Sequence, residues 1–170
     1  MIGFLSKIFG GNKSEKDVKK ITPQVAKING FFTQFQLLSN DQLRAKTAEF
    51  KQRIQQHLTV IDQQINSKKE LAENLPVTNI NEKDVIYQEI DVLKKERDQQ
   101  IEVVLQEILP EAFAAVKETA RRFKENASLE SNATELDKIL AVKKDHITIK
   151  GDKVTFTNTW KAAGGEVSWN

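Results

Sequence analysis

With 170 residues, 39% of them apolar and 29% charged, the chain has the composition of one rather polar domain, or of a domain with an appendage. Lys and Arg number 26 against 24 acidic residues, a formal balance of +2, which lacks the concentrated basic charge of a nucleic-acid binder. The absence of cysteine excludes disulfides and thiolate metal sites and fits a reducing cytoplasm.

No apolar run approaches the roughly 18 to 20 residues that span a bilayer. The start is not a secretory signal, because Gly3, Ser6 and Lys7 interrupt its apolar stretch and no small-residue cleavage site follows. Residues 1–9 read instead as a short amphipathic helix ended by Gly10 and Gly11. At 100° per residue, Met1, Ile2, Phe4, Leu5, Ile8 and Phe9 share an arc of roughly 160°. A basic tract follows, with Lys13, Lys16, Lys19 and Lys20 diluted by Glu15 and Asp17. Apolar face and lysines together suit a helix lying in a membrane interface beside anionic lipid. A terminal helix packed on its own domain, followed by a solvated linker, is an equal reading of the same residues.

Thr22-Pro23 has the form of an N-cap followed by proline at the first helical position, which predicts a helix presenting Val25, Ile28, Phe32 and Phe35. Ser39 with Gln42 fits a capping box. The long helix it opens carries Leu43, Phe50, Ile54, Leu58, Ile61 and Ile65 and runs to about Asn74, roughly 50 Å. Residues 75–79 break it. A second long helix uses Ile86, Ile90, Leu93, Ile101, Val104 and Ile108, with Arg97 where the seam calls for an apolar residue. Two long helices joined by so short a break fold back as an antiparallel hairpin. Self-closure is the expectation, although the stripe could also pair with a second chain.

Pro110 then opens a helix through Phe113, Val116, Ala120 and Phe123 that ends in Arg121, Arg122 and Lys124. Residues 126–134 read as a polar loop and 135–142 as a brief helix. Beyond them the period changes from 3.6 to 2. Ile147 and Ile149, the turn Gly151-Asp152, then Val154 and Phe156 predict a hairpin with Ile149 opposite Val154 and Ile147 opposite Phe156. Trp160 and Trp169 flank a second turn at Gly164-Gly165. The expected fold is mainly α, a long antiparallel helical hairpin with shorter helices and a small C-terminal β element.

No catalytic, cofactor or metal site is expected from these residues. Neither glycine pair leads into Gly-Lys-Ser/Thr, no G-x-G-x-x-G occurs, and His57 and His146 stand in different elements without ligand-spaced partners. Carboxylates such as Glu89 and Glu96, or Glu107 and Glu111, sit on charged helical faces.

Three segments are similar to one family. Residues 4–10, F-L-S-K-I-F-G, resemble the start of bacterial SecA. Residues 38–53, L-S-N-D-Q-L-R-A-K-T-A-E-F-K-Q-R, are closer to its L-S-D-E-E-L-R-A-K-T-x-E-F-x-x-R. Residues 109–122, L-P-E-A-F-A-A-V-K-E-T-A-R-R, resemble its L-P-E-A-F-A-V-V-R-E-A-x-x-R. The resemblance covers about residues 1–54 and 108–123, in the family's order. It implies an amphipathic start and hinge at 1–12, family helices at 13–57 and 108–124, and two insertions, a helical arm at 58–107 and a β-bearing stretch at 125–170. The chain stops before the family's Walker A segment, which implies a piece of a longer protein.

What the resemblance implies for function is a non-catalytic docking and scaffolding part of an ATP-driven preprotein translocase, cytoplasmic and peripheral to the membrane. Its implied partners are a SecY-type channel, acidic phospholipid, preprotein through the parent and a homodimer partner, and no nucleic acid. ATP and Mg belong to the implied parent. The docking role carries over to Ile2, Phe4, Leu5, Lys7, Ile8 and Phe9, with Lys13, Lys16, Lys19 and Lys20 behind them. The alternative is a free-standing helical adaptor or coiled-coil interaction protein.

Overall fold

The computed structural model describes residues 13–169, with side chains from Glu15 onward; the amphipathic start at 1–9 lies outside the described residues. Helix α1 is Lys13–Phe35, α2 is Asn40–Asn74 and α3 is Ile80–Glu125. Strand β1 (Ser128–Asn132) and the short α4 (Glu135–Ala141) follow, then β2 (Ile147–Lys150), β3 (Lys153–Thr157), β4 (Thr159–Ala162) and β5 (Gly165–Ser168). The chain divides into two compact units, Thr47–Leu109 and the remainder.

The Thr47–Leu109 unit, here called the arm, is a hairpin of the long helices α2 and α3 and contains residues 58–107. Leu58, Ile61, Ile65 and Ala72 of α2 are buried with Ile86 and Ile90 of α3, and Ile54, Leu75, Leu93 and Ile101 pack against them. Only one stripe of each helix is apolar, so the two must close on each other to shed water. Arg97, the odd residue of the seam, is half-buried and pairs across the hairpin with Asp62 at 2.5 Å, and Lys68 pairs with Glu89 at 2.6 Å. Asp62's hydrogen bond raises the Arg97 pKa above its ordinary value.

In the other unit, Phe35, Leu43 and Ala114 are buried, with Ile28, Phe31, Phe32, Leu38 and Ala115 against them. The capping box that opens α2 is present: Ser39 N donates to Gln42 Oε1 at 2.8 Å and Gln42 N to Ser39 Oγ at 3.2 Å. Three expectations are corrected. Thr22-Pro23 does not start a helix, because α1 already runs from Lys13 and passes through Pro23. Val18, Ile21 and Val25 keep the helical spacing across the proline, and the Thr22 hydroxyl donates to Val18 O at 2.8 Å. Pro110 likewise lies inside α3, where the apolar seam continues on both sides of it. The polar stretch read as a loop at 126–134 holds β1, a strand without apolar alternation, in which Ser131 alone is buried.

Strands β1, β3 and β2 form one antiparallel sheet in that order. Its β2–β3 register is the expected one, Ile147 with Phe156 and Ile149 with Val154. Gly151, at φ 62°, makes the turn between them. The β4–β5 hairpin turns on Ala163 (φ 49°) and Gly164 (φ 81°), one residue earlier than the glycine pair suggests. Such a turn needs positive φ at both central residues. An isolated two-stranded hairpin is marginal in water. Here Trp169 stacks on Phe123 of α3 at 6.0 Å between centroids and tilts against Trp160 at 6.1 Å.

Candidate docking site

One stripe runs the length of α1. At 100° per residue, Val18, Ile21, Val25, Ile28, Phe32 and Phe35 fall within an arc of about 100°. Its two ends have different fates. Phe35 is buried and Ile28 and Phe32 partly so, whereas Val18, Ile21 and Val25 are 60%, 58% and 44% exposed. Every residue at 15–23 is exposed, including Lys16, Lys19 and Lys20, which lie on the opposite side of the helix from the stripe. Of the expected docking residues, the structure thus places these three lysines on one exposed amphipathic segment. The Lys13 side chain and Ile2, Phe4, Leu5, Lys7, Ile8 and Phe9 lie outside the described residues. Sequence reasoning missed Val18 and Ile21, because the false helix start at Thr22 cut them from the stripe they belong to.

The family-like segments at 38–53 and 109–122 do a different job. Asn40, Asp41 and Arg44, at the start of α2, face the outer edge of β1. Asn40 Nδ2 donates to Glu130 O at 2.8 Å, Asn132 N donates to Asp41 Oδ1 at 2.8 Å, and Arg44 Nη1 donates to Asn132 O at 3.1 Å. These side chains satisfy backbone groups that a neighbouring strand would otherwise take, which closes an edge prone to foreign pairing. Arg44 continues to Ser131 Oγ at 2.6 Å and to both carboxylate oxygens of Asp137, at 3.0 and 2.8 Å, with its guanidinium 5.6 Å from the Phe156 ring centroid. Asp137, the buried residue of α4, also completes that helix's capping box with Thr134. Burial pushes the Asp137 carboxyl up, but the donors of Arg44 and Thr134 outweigh it and hold its pKa below the usual range.

The segment at 109–122 supplies Glu118 and Arg122, both buried. Glu118 accepts from Arg121 at 2.8 Å on each oxygen and from Arg122 Nε at 2.7 Å, and Arg121 also pairs with Glu125. The Arg121 bonds depress the Glu118 pKa against the cost of burial, with Arg122 adding to the same side. Arg122 also donates to Phe35 O at 3.1 Å, Leu38 O at 2.7 Å and Asn40 Oδ1 at 2.6 Å. The buried side-chain polar atoms of the described residues all have partners.

The order and composition of these segments are a family signature. The family model described as the SecA DEAD-like domain matches residues 5–134. The chain belongs to the SecA family. Over 167 residues, 98% of its length, it is 41% identical to the protein translocase subunit SecA of Parabacteroides distasonis, of which it covers 14%. Over 169 residues, 99% of its length, it is 43% identical to that of Cytophaga hutchinsonii, covering 15%. The SecA of Flavobacterium psychrophilum gives the same identity and coverage. No solved structure matches. The chain therefore spans about a seventh of the length of these relatives. Both stretches that read as insertions, 58–107 and 125–170, fall almost wholly within the span shared with these SecA proteins.

Among the described residues no helix is long and apolar enough to cross a membrane, and no three His, Cys, Asp or Glu side chains group to hold a metal ion.

Proposed function

We propose that this chain is a docking and scaffolding part of an ATP-driven preprotein translocase, and that it engages an acidic phospholipid surface and a SecY-type channel from the cytoplasmic side. The observation that carries this reading is the division of α1. Its carboxyl half is built into a folded unit, while its amino half exposes Val18, Ile21 and Val25 on one side and Lys16, Lys19 and Lys20 on the other. That is the layout of a helix that lies in an interface with cations toward anionic headgroups. Each lysine near such a surface contributes on the order of 1 kcal/mol, which suffices to tip a short apolar face toward lipid.

ATP and Mg, which the family implies for the parent, do not fit the residues present. No glycine-rich phosphate loop with its Lys-Ser/Thr occurs, and Arg44, Arg121 and Arg122 are already bound to carboxylates and carbonyls. Chemistry on nucleotide is therefore assigned to the rest of the translocase.

Flotation with phosphatidylglycerol vesicles tests the reading. The chain is expected to float at low salt, to be released at high salt, and to lose most of its binding when Phe4 and Phe9, or Val18 and Ile21, become serine. Flotation of both double variants unchanged from that of the unsubstituted chain would remove the docking assignment.

A further inference from the structure

A docking helix must be aimed as well as exposed. The uncovered half of α1 reaches about 20 Å beyond Ile28, its first packed residue, at 1.5 Å per residue. A slack of roughly 10° at the packed end therefore moves the exposed end by several ångströms. The packed end is held by the apolar cluster around Phe35 and by a set of cations. Lys117 of α3 sits 4.2 Å from the Phe32 ring centroid and donates to Asn29 Oδ1 at 2.8 Å. Lys46 of α2 lies 5.2 Å from the Phe35 ring. Arg122 grips the end of the helix itself, through Phe35 O and Leu38 O, with Asn40 Oδ1 and Glu118 Oε1 fixing the rest of its guanidinium. A cation at a helix carboxyl end is also favoured by the helix dipole.

We propose that Arg122 is the positioning residue of the docking helix: by holding the carboxyl end of α1 it sets the direction in which Val18, Ile21 and Val25 are presented. Affinity for a surface then depends on a buried side chain that takes no part in the docking face. The inference rests on the docking reading above. A planar guanidinium with five donors in fixed directions can serve four acceptors at once. A lysine ammonium, with three donors on a flexible stem, keeps the charge and loses the geometry.

The full chain contains no cysteine, so Glu15→Cys and Ser128→Cys, both exposed positions, accept paired spin labels cleanly. The unsubstituted anchor is expected to give one narrow distance distribution in solution, and Arg122→Lys a broad one with the tryptophan fluorescence of the fold retained. Binding to phosphatidylglycerol vesicles should fall in proportion to the fraction still correctly aimed, roughly fivefold if about a fifth remains. Asn40→Ala, which keeps both buried charges but removes one acceptor of Arg122 together with the donor to Glu130 O, should shift both readouts the same way by less, and decides the matter alone if Arg122→Lys does not fold. A distribution that stays narrow overturns the proposal, as does a broad distribution with unchanged vesicle binding. If the unsubstituted chain does not bind vesicles, the docking reading itself falls, and the distance measurement separately decides whether Arg122 directs α1.

Discussion

Between residues 47 and 109 the two long helices meet along Leu58, Ile61, Ile65, Ile86 and Ile90 and leave their ion pairs at the margin, Asp62 and Arg97 being 41% and 34% exposed. In the other unit the order is reversed. Its apolar cluster is small, and charged groups, Glu118, Arg122 and Asp137, are buried alongside it. The comparison shows two ways of holding helices together. A seam of aliphatic side chains is the more tolerant, since a truncated residue loses area and packing but leaves no buried charge without a partner. An ionic lattice tolerates little, because removing one member leaves a partner buried and uncompensated.

The lattice should therefore respond most sharply. Glu118→Ala strips Arg122 of its carboxylate while the guanidinium stays buried, an expected loss of about 4 kcal/mol. Ile90→Ala, at 2% exposure in the arm, should cost about 3 kcal/mol through lost transfer and a cavity. The chain's own chromophores separate the two. Both tryptophans, Trp160 and Trp169, lie outside the arm, whereas the single tyrosine, Tyr87, lies within it. Glu118→Ala should move the tryptophan-detected urea transition, and Ile90→Ala the helical circular dichroism more than the tryptophan signal. Equal shifts of both signals by both variants would mean one cooperative unit and would break the comparison.

The same contrast explains what the sequence made legible. The arm could be read almost residue by residue, because Ile54, Leu58, Ile61, Ile65, Ile86, Ile90 and Leu93 carry the 3.6-residue period that their packing obeys. The β2–β3 register was readable for the equivalent reason at period 2. The lattice was not. Arg44 and Asp137 are 93 residues apart, and Arg122 and Phe35 are 87 apart, so no local pattern announces that they meet. Their trace was the likeness of 38–53 and 109–122 to a family pattern, which marks residues as important without saying what they touch. The two prolines misled in a physical way. Proline is favoured at a helix start and costs about 3 kcal/mol inside one. At Pro23 and Pro110 the flanking helix runs on through that cost. On α1 the sequence pattern singled out Lys16, Lys19 and Lys20, whereas Val18 and Ile21 were lost with the misplaced helix start.

The smallest effect is expected at Arg97, and it asks what an exposed pair inside an apolar seam is for. Arg97 stands four residues from both Leu93 and Ile101, where leucine would extend the stripe. Half-exposed pairs contribute roughly 0 to 1 kcal/mol, and an added leucine offsets that by burying area while Asp62 keeps its access to water. Arg97→Leu should therefore leave the arm's transition within about 1 kcal/mol of the original, and Arg97→Leu with Asp62→Leu should raise it. A seam of uninterrupted aliphatics has less to distinguish one register from another. A charged pair that meets in a single alignment supplies the distinction, as buried polar residues do in coiled coils. The expected signature is a double variant that is more stable by circular dichroism yet shows broadened or multiple distances between spin labels across the hairpin, at Gln55→Cys and Gln106→Cys. A double variant that gains stability and keeps one narrow distance would show that the apolar spacing alone sets the register.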